Sequence, residues 1–234
     1  MKQFLPVIAL GCGLSLLGEA ANAEDLGWFT DINAGAAFIS GDSDTTTGGR
    51  DGDGIVSKVK FDDEFVVGGR IGYRFSDPLA VFISYDYLGS NVSWAGTFPG
   101  GPAYFDGRAI SNIVLANVSY GYNITENTRL NATAGAGVAI NQLNDIDEAS
   151  FKGATPYANL DDGTHTSFAG RAGLELQHNV TESLSLNLGA NISYLGSYES
   201  GNGRDRSGLY EPINAYELSP IWAATITAGI RLKF

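Results

Sequence analysis

The sequence predicts an all-β chain: a transmembrane antiparallel up-and-down β-barrel of eight strands, with short turns at one end and four long loops at the other. Three observations predict it. Eight segments alternate with a period of two between an apolar face and a small, polar or charged one. The connections between them are alternately short and long. The apolar faces carry aromatic residues near both ends of the strands, where amphipathic rings favour membrane interfaces.

The N-terminal stretch carries Lys2, an apolar segment from Phe4 to Leu17, and the small-x-small triplet Ala21-Asn22-Ala23. This order reads as a cleaved secretory signal peptide over 1–23, too short to span a bilayer as a helix. Residues 24–234 then form one β-barrel domain. Cys12, the one cysteine, lies in the leader, so the exported domain has no disulfide framework. No run of eighteen apolar residues predicts a helical span. The net charge of −12 argues against nucleic acid, and against anionic head groups, as partners.

The strands follow in order. Trp28 to Ser40 has Ile32, Ala34, Ala36 and Phe38 on one face. "FVVGGRIGYRF" from Phe65 sets Val67, Ile71 and Tyr73 against Gly68, Arg70 and Arg74, and "LAVFISYDY" from Leu79 sets Val81, Ile83 and Tyr85 against Phe82, Ser84 and Asp86. Ile110 to Tyr122 turns Val114, Ala116 and Val118 away from Leu115, Asn117 and Ser119. The same alternation runs through "RLNATAGAGVAIN" (129–141), "SFAGRAGLELQ" (167–177), "LSLNLGANISY" (184–194) and "WAATITAGIRLKF" (222–234). Short turns are expected at 76–78, 123–127 and 178–182, and loops near 41–63, 88–108, 142–164 and 195–219. A thirteen-residue strand tilted by about 45° rises roughly 30 Å, enough to cross an apolar band of about 25 Å.

The non-apolar faces separate a membrane barrel from a soluble one. They are rich in Gly, Ser, Thr and Asn, poor choices for an exposed soluble sheet but suited to a narrow interior. They also carry charges of both signs, which can pair away from lipid. The first half contributes Asp31, Glu64, Arg70, Arg74 and Asp86 to this lumen network; the second half contributes Arg129, Arg171, Glu175, Arg231 and Lys233. The expected use is a plug of ion pairs, because an eight-stranded interior is just wide enough for side chains to fill. With the short turns at one membrane face, Trp28, Tyr73, Phe75, Tyr120 and Tyr122 form one aromatic girdle together with Phe234. Phe38, Tyr85, Tyr87, Phe168, Tyr194 and Trp222 form the other.

These residues resemble a known family, the small eight-stranded outer-membrane barrels of Gram-negative bacteria that include the OmpA transmembrane domain and the opacity-protein-like porins. "FDDEFVVGGRIGYRFSDPLAVFISYDY" (61–87) resembles that group's hairpin, and "AGIRLKF" resembles its C-terminal assembly signal, ending on Phe234. The resemblance implies insertion into the bacterial outer membrane with short periplasmic turns and extracellular long loops. It implies outer-membrane lipids, lipopolysaccharide and the barrel-assembly machinery as partners, and a host or extracellular ligand at the loops. It implies a structural or surface-interaction role, in envelope integrity or adhesion, with a narrow channel for small solutes as the alternative and a lipid-modifying enzyme as the third reading.

Catalytic chemistry is weakly supported. His165 and Ser167 share the inward face, but Glu175, the carboxylate on the same strand, lies eight residues from Ser167, roughly 26 Å away along the strand. No catalytic residue, cofactor or metal site is assigned, and the chain is not expected to be an enzyme. The acidic loops carry Asp42, Asp44, Asp51, Asp53, Asp62 and Asp63, then Asp145, Asp147, Glu148, Asp161 and Asp162, without the ligand spacing of a calcium loop. Deleting Phe234 is expected to lower the amount of heat-modifiable, folded protein in outer-membrane fractions while leaving export intact. Wild-type levels of the deletion in those fractions would refute the assembly role of this residue.

Overall fold

The computed structural model describes residues 26–41, 45–49, 52–62, 65–98 and 101–234. The proposed leader, Glu64, Asp42, Asp44, Asp51 and Asp63 lie outside the described residues. The described chain is built of strands: β1 (Gly27–Gly41), β2 (Thr45–Gly49), β3 (Gly52–Phe61), β4 (Phe65–Arg74), β5 (Leu79–Phe98), β6 (Gly101–Thr125), β7 (Thr128–Ala149), β8 (Ala158–Leu160), β9 (Gly163–Asn179), β10 (Leu184–Glu199), β11 (Gly203–Arg206), β12 (Leu209–Pro212) and β13 (Glu217–Lys233).

Eight of these form a closed antiparallel ring in the order β1, β4, β5, β6, β7, β9, β10, β13. The last strand returns to the first, with Ile32 opposite Ile230 and Ala36 opposite Ile226. Lipid offers no partner for a free strand edge, so this closure is what allows a sheet to sit in a bilayer. At one end the strands are joined by tight connections, such as the one between Thr125 and Thr128.

The four long connections are built largely of strand. β5 and β6 pair from Leu79 opposite Tyr120 to Phe98 opposite Gly101, so most of the segment expected as a loop over 88–108 continues the barrel wall. The β2–β3 hairpin lies against the upper part of β5. β8 pairs with the end of β7, and β11 and β12 extend this into a small side sheet. The β11–β12 hairpin turns on Ser207 and Gly208, at φ of 56° and 84°, the conformation of a two-residue type I′ turn.

The strands continue because the period of two continues, but its polarity reverses. On β5 the outward residues run Leu79, Val81, Ile83, Tyr85 and Tyr87, then Asn91, Ser93 and Thr97. The inward residues run Ala80, Phe82, Ser84 and Asp86, then Leu88, Ser90, Val92 and Trp94. β6 reverses likewise: Ser119 and Asn117 point inward near the turns, while Leu115, Ile113, Ala109 and Phe105 do so farther up. The lower half is therefore apolar outside and polar inside, the pattern for lipid; the upper half is polar outside and apolar inside, the pattern for water. Trp94 is fully buried and stacks on Phe105 with ring centroids 5.2 Å apart, and Tyr216 stands 5.0 Å from Phe105.

Inward glycines make the lower half narrow enough to fill. A Cβ on Gly72 would stand 2.5 Å from the Phe82 Cβ and 2.6 Å from the Phe29 ring, so only glycine lets these two rings meet inside the barrel.

The reversal predicts opposite tolerance on one strand. Ile83→Arg, on an outward side chain 58% exposed, is expected to destabilise the barrel by about 2–4 kcal/mol. Thr97→Arg, outward on the upper half, is expected to stay within about 0.5 kcal/mol of wild type. Urea unfolding in lipid vesicles measures both; equal costs would remove the case for two environments.

Candidate functional site

The barrel places its charges on strands that face each other. Arg231 on β13 grips Asp31 on the neighbouring β1 with two bonds, Nε donating to Oδ1 at 2.7 Å and Nη2 to Oδ2 at 2.8 Å. Arg70 on β4 also forms an ion pair with Asp31 Oδ2, at 2.7 Å. Glu175, on β9 at the opposite side of the ring, completes the cluster: it forms an ion pair with Arg70 at 2.5 Å and accepts from Arg231 at 3.2 Å. Gln177 Oε1 accepts from Arg231 Nη1 at 2.5 Å. Arg231 lies 4.3 Å from the Phe29 ring centroid and Arg70 lies 5.4 Å from that of Phe82. Asp31 is 2% and Arg231 4% exposed, so these charges are held by one another and by aromatic faces rather than by water.

A second pair lies one layer higher. Arg171 on β9 donates to Asp86 Oδ2 on β5 at 2.6 Å and to Ser193 Oγ at 3.0 Å. Between these layers, a polar cavity of about 30 Å³ bordered by Asn117, Asn191, Thr225 and Thr227 has room for one or two waters. At the turn end, Arg129 pairs with Asp77, Arg74 donates to the Asp77 carbonyl at 2.9 Å, and Lys233 donates to Asn179 at 3.2 Å. Above the charges, Asn141 on β7 donates to the carbonyls of Leu195 and Ser197 on β10, at 2.7 and 2.8 Å. Ser111 on β6 and Tyr198 on β10 share a hydrogen bond of 2.6 Å. The apolar core closes the space above them.

Gln177 lies inside, as the alternation of its strand predicts, whereas Asp77 belongs to this interior but was not among the charged residues expected there. Asp77 sits in a turn with nothing local to mark it, since its partner lies 52 residues away on another hairpin. The aromatic residues expected in two bands all point outward. Trp28 meets Tyr73 at 5.4 Å near the turns, Tyr73 meets Phe75 at 4.9 Å, and Tyr120, Tyr122 and Phe234 are exposed at the same end. Tyr194 meets Trp222 at 5.2 Å at the higher level; Phe38, Tyr85 and Phe168 are exposed and Tyr87 is half-buried.

A carboxylate does reach His165, from the neighbouring strand: Glu199 Oε1 lies 2.8 Å from Nδ1. Ser167 Oγ accepts the Ser197 amide at 3.2 Å, and among the described residues no hydrogen bond joins His165 to Ser167. The contact between nucleophile and base is therefore not formed. Among the described residues no group of three or more His, Cys, Asp or Glu is arranged to hold a metal.

The side sheet is fastened through Glu148 on β7. Arg204 on β11 donates from Nη2 to its Oε1 at 2.9 Å, with Nε in ion-pair contact with Oε2 at 2.6 Å, and the Tyr157 hydroxyl donates to Oε1 at 2.8 Å. Partial burial and the Glu148 carboxylate raise the Tyr157 phenol above its ordinary pKa, so it remains a neutral donor at physiological pH. Arg206 lies against the same residue's ring, its guanidinium 5.4 Å from the Tyr157 centroid.

A closed antiparallel ring with a lipid-type lower wall and a salt-bridged interior defines a transmembrane β-barrel of the outer-membrane kind. The chain belongs to the family of outer membrane protein beta-barrel domains, whose model matches residues 7–234. Among solved structures, the chain is similar to the outer membrane protein OprG from Pseudomonas aeruginosa, at 18% identity over 89% of this chain and 97% of that one, with a TM-score of 0.54. It is also similar to Neisserial surface protein A, at 17% identity over 89% and 97% of the two chains with a TM-score of 0.44. The attachment invasion locus protein Ail of Yersinia pestis matches at 15% identity over 89% and 99%, with a TM-score of 0.41. At these identities the likeness is one of fold. No curated protein matches the sequence.

Asp31→Ala would leave two buried guanidinium groups competing for Glu175, and removal of one partner of a buried pair costs about 3–5 kcal/mol. The expected outcome is that loss in equilibrium unfolding in vesicles. A change below about 1 kcal/mol would show that water or Gln177 holds Arg231 equally well.

Proposed function

We propose that the chain acts as a surface-exposed barrel of the outer membrane with a structural or surface-interaction role, in envelope integrity or adhesion, presenting its upper half outside the cell. The observation that carries this reading is the occupied lumen: Arg70 and Glu175 meet across the ring, Arg171 and Asp86 span it again, and an apolar core lies above both. A barrel filled in this way favours a scaffold over a channel, and work on the outside falls to the projecting half. That half carries exposed Phe151, Leu209 and Tyr210, large apolar side chains suited to partner contact.

In planar bilayers the folded protein is expected to give no conductance steps, and steps of constant size would overturn the reading in favour of a channel. In cells, replacing Phe151, Leu209 and Tyr210 together by Ser is expected to leave outer-membrane levels unchanged and abolish complementation of a deletion strain, scored as detergent resistance and surface attachment. Full complementation by this variant would rule out their role in contact.

A further inference from the structure

The side sheet ends on an unpaired edge. Its strands run β7, β8, β11, β12, and among the described residues no strand pairs with the outer side of β12. The two-residue turn at Ser207 and Gly208 makes Arg206 and Leu209 a hydrogen-bonded pair, so Asp205 and Tyr210 form the next, non-bonded pair. The Tyr210 amide and carbonyl therefore point away from β11, as does the Pro212 carbonyl. The Asp161 amide donates to the Gly203 carbonyl at 2.9 Å and the Ile213 amide to the Asn202 carbonyl at 2.9 Å, in keeping with this alternation. Leu209 and Tyr210, 71% and 63% exposed, flank the free edge on opposite faces. Sheet proteins ordinarily cover or blunt such an edge, and here only Pro212, at the end of the strand, blunts it.

The edge is ordered in advance, and its two faces differ in charge. Arg204 ties β11 to Glu148 on β7. The Tyr210 hydroxyl donates to Asp161 Oδ2 at 2.9 Å, passing over Gly203, where a Cβ would overlap that hydroxyl. Asp205 Oδ1 accepts the Gly208 amide at 2.7 Å and fixes the turn. A strand held in this way loses little conformational freedom on binding. Cross-strand partners share a face, so Tyr210, Asp205, Asn159 and Asp147 form one row across β12, β11, β8 and β7. This row contains no lysine or arginine, and Asp161 joins it through Tyr210. On the opposite face Leu209 stands beside Arg206 and Glu211 beside Arg204. Arg204 lies 3.7 Å from Glu211 and Arg206 rests on the Tyr157 ring, which leaves Leu209 as the exposed apolar contact of that face.

We propose that β12 accepts an extended segment of another protein as an added strand, and that this segment alternates basic with apolar side chains. Its backbone bonds the Tyr210 amide and carbonyl, which supply attachment whatever the side chains are. Its basic residues lie over the Tyr210 ring, within the field of Asp161 and Asp205. Its apolar residues pack on Leu209 on the other face. Charge selects this occupant over a second copy of the chain. A second β12 would bring its own Asp205 and Glu211 against the same acidic groups, between chains that each carry −12. Strand addition rests on the surface-interaction role and supplies its mode of contact and the chemistry of its partner.

Fluorescence anisotropy of a labelled, capped peptide alternating lysine and valine tests it, titrated with the barrel in zwitterionic nanodiscs and corrected with empty nanodiscs. The expected result is saturable binding at least tenfold tighter than that of a scrambled peptide of the same composition. Methylating the peptide's backbone nitrogens is expected to weaken binding at least tenfold. Tyr210→Pro removes the amide donor of the free edge without removing a bond to β11, and is expected to cost as much. Asp205→Asn, which keeps the acceptor for the Gly208 amide, is expected to weaken binding severalfold. Heat-modifiable mobility reports folding of each variant, and should Tyr210→Pro fail to fold, the methylated peptide tests the same bond on the unaltered protein. No saturable binding, equal binding of the scrambled or methylated peptide, or full binding to folded Tyr210→Pro would overturn the proposal. A barrel dimer that Tyr210→Pro dissolves would overturn it in favour of a second copy. None of these outcomes alters the conductance or complementation results, so strand addition and the surface-interaction role fail separately.

Discussion

Pairing of the first ring strand with the last is the constraint on which the rest of the structure depends. Without the ladder between β1 and β13, two rows of backbone donors and acceptors would face hydrocarbon, each group costing several kcal/mol. Closure fixes the ring at eight strands, and eight strands fix an interior about as wide as two facing side chains. From that width follow the inward glycines, the rings of Phe29 and Phe82 meeting over Gly72, and the reach of Arg70 to Glu175 across the full ring.

One wall then serves two solvents. Below the upper aromatic band, hydrocarbon outside requires apolar side chains outward, and the polar residues left inside must satisfy one another. Above it, water outside permits Asn91, Ser93 and Thr97 to face out, and the interior becomes an ordinary core around Trp94, Phe105 and Tyr216. The two halves meet where Asp86 gives way to Leu88 on β5 and Asn117 to Leu115 on β6. Both fillings occupy the lumen, by different physics: hydrogen-bonded charge in one half and excluded water in the other. The outward wall of the upper half is then the part free to vary in chemistry.

Much of the membrane-crossing part was legible in the sequence. Alternation such as Leu79, Val81, Ile83 and Tyr85 against Ser84 and Asp86 is a local property, visible within nine residues. The upper half is less legible because its alternation reverses polarity. In "LGSNVSWAGTF" the period of two persists, but the apolar residues lie on the other face, so the segment resembled a loop. Tracking the period without its sign would have extended β5 and β6 to their observed ends. The interior offered less. That Arg231 and Asp31 could pair was open to inference, but Asp77 as the partner of Arg129 was not, nor was Glu199 beside His165, because neither contact has a local trace.

The sequence by itself determined the class of environment, the eight crossing segments and which face of each meets lipid, because side chains alternate along a strand whatever its neighbours are. Only the tertiary structure decided which charges meet and how far the strands rise above the membrane. Those depend on ring order and stagger, which bring together residues as distant in the chain as Asp31 and Arg231, and β9 opposite β4, through backbone ladders that no local pattern encodes.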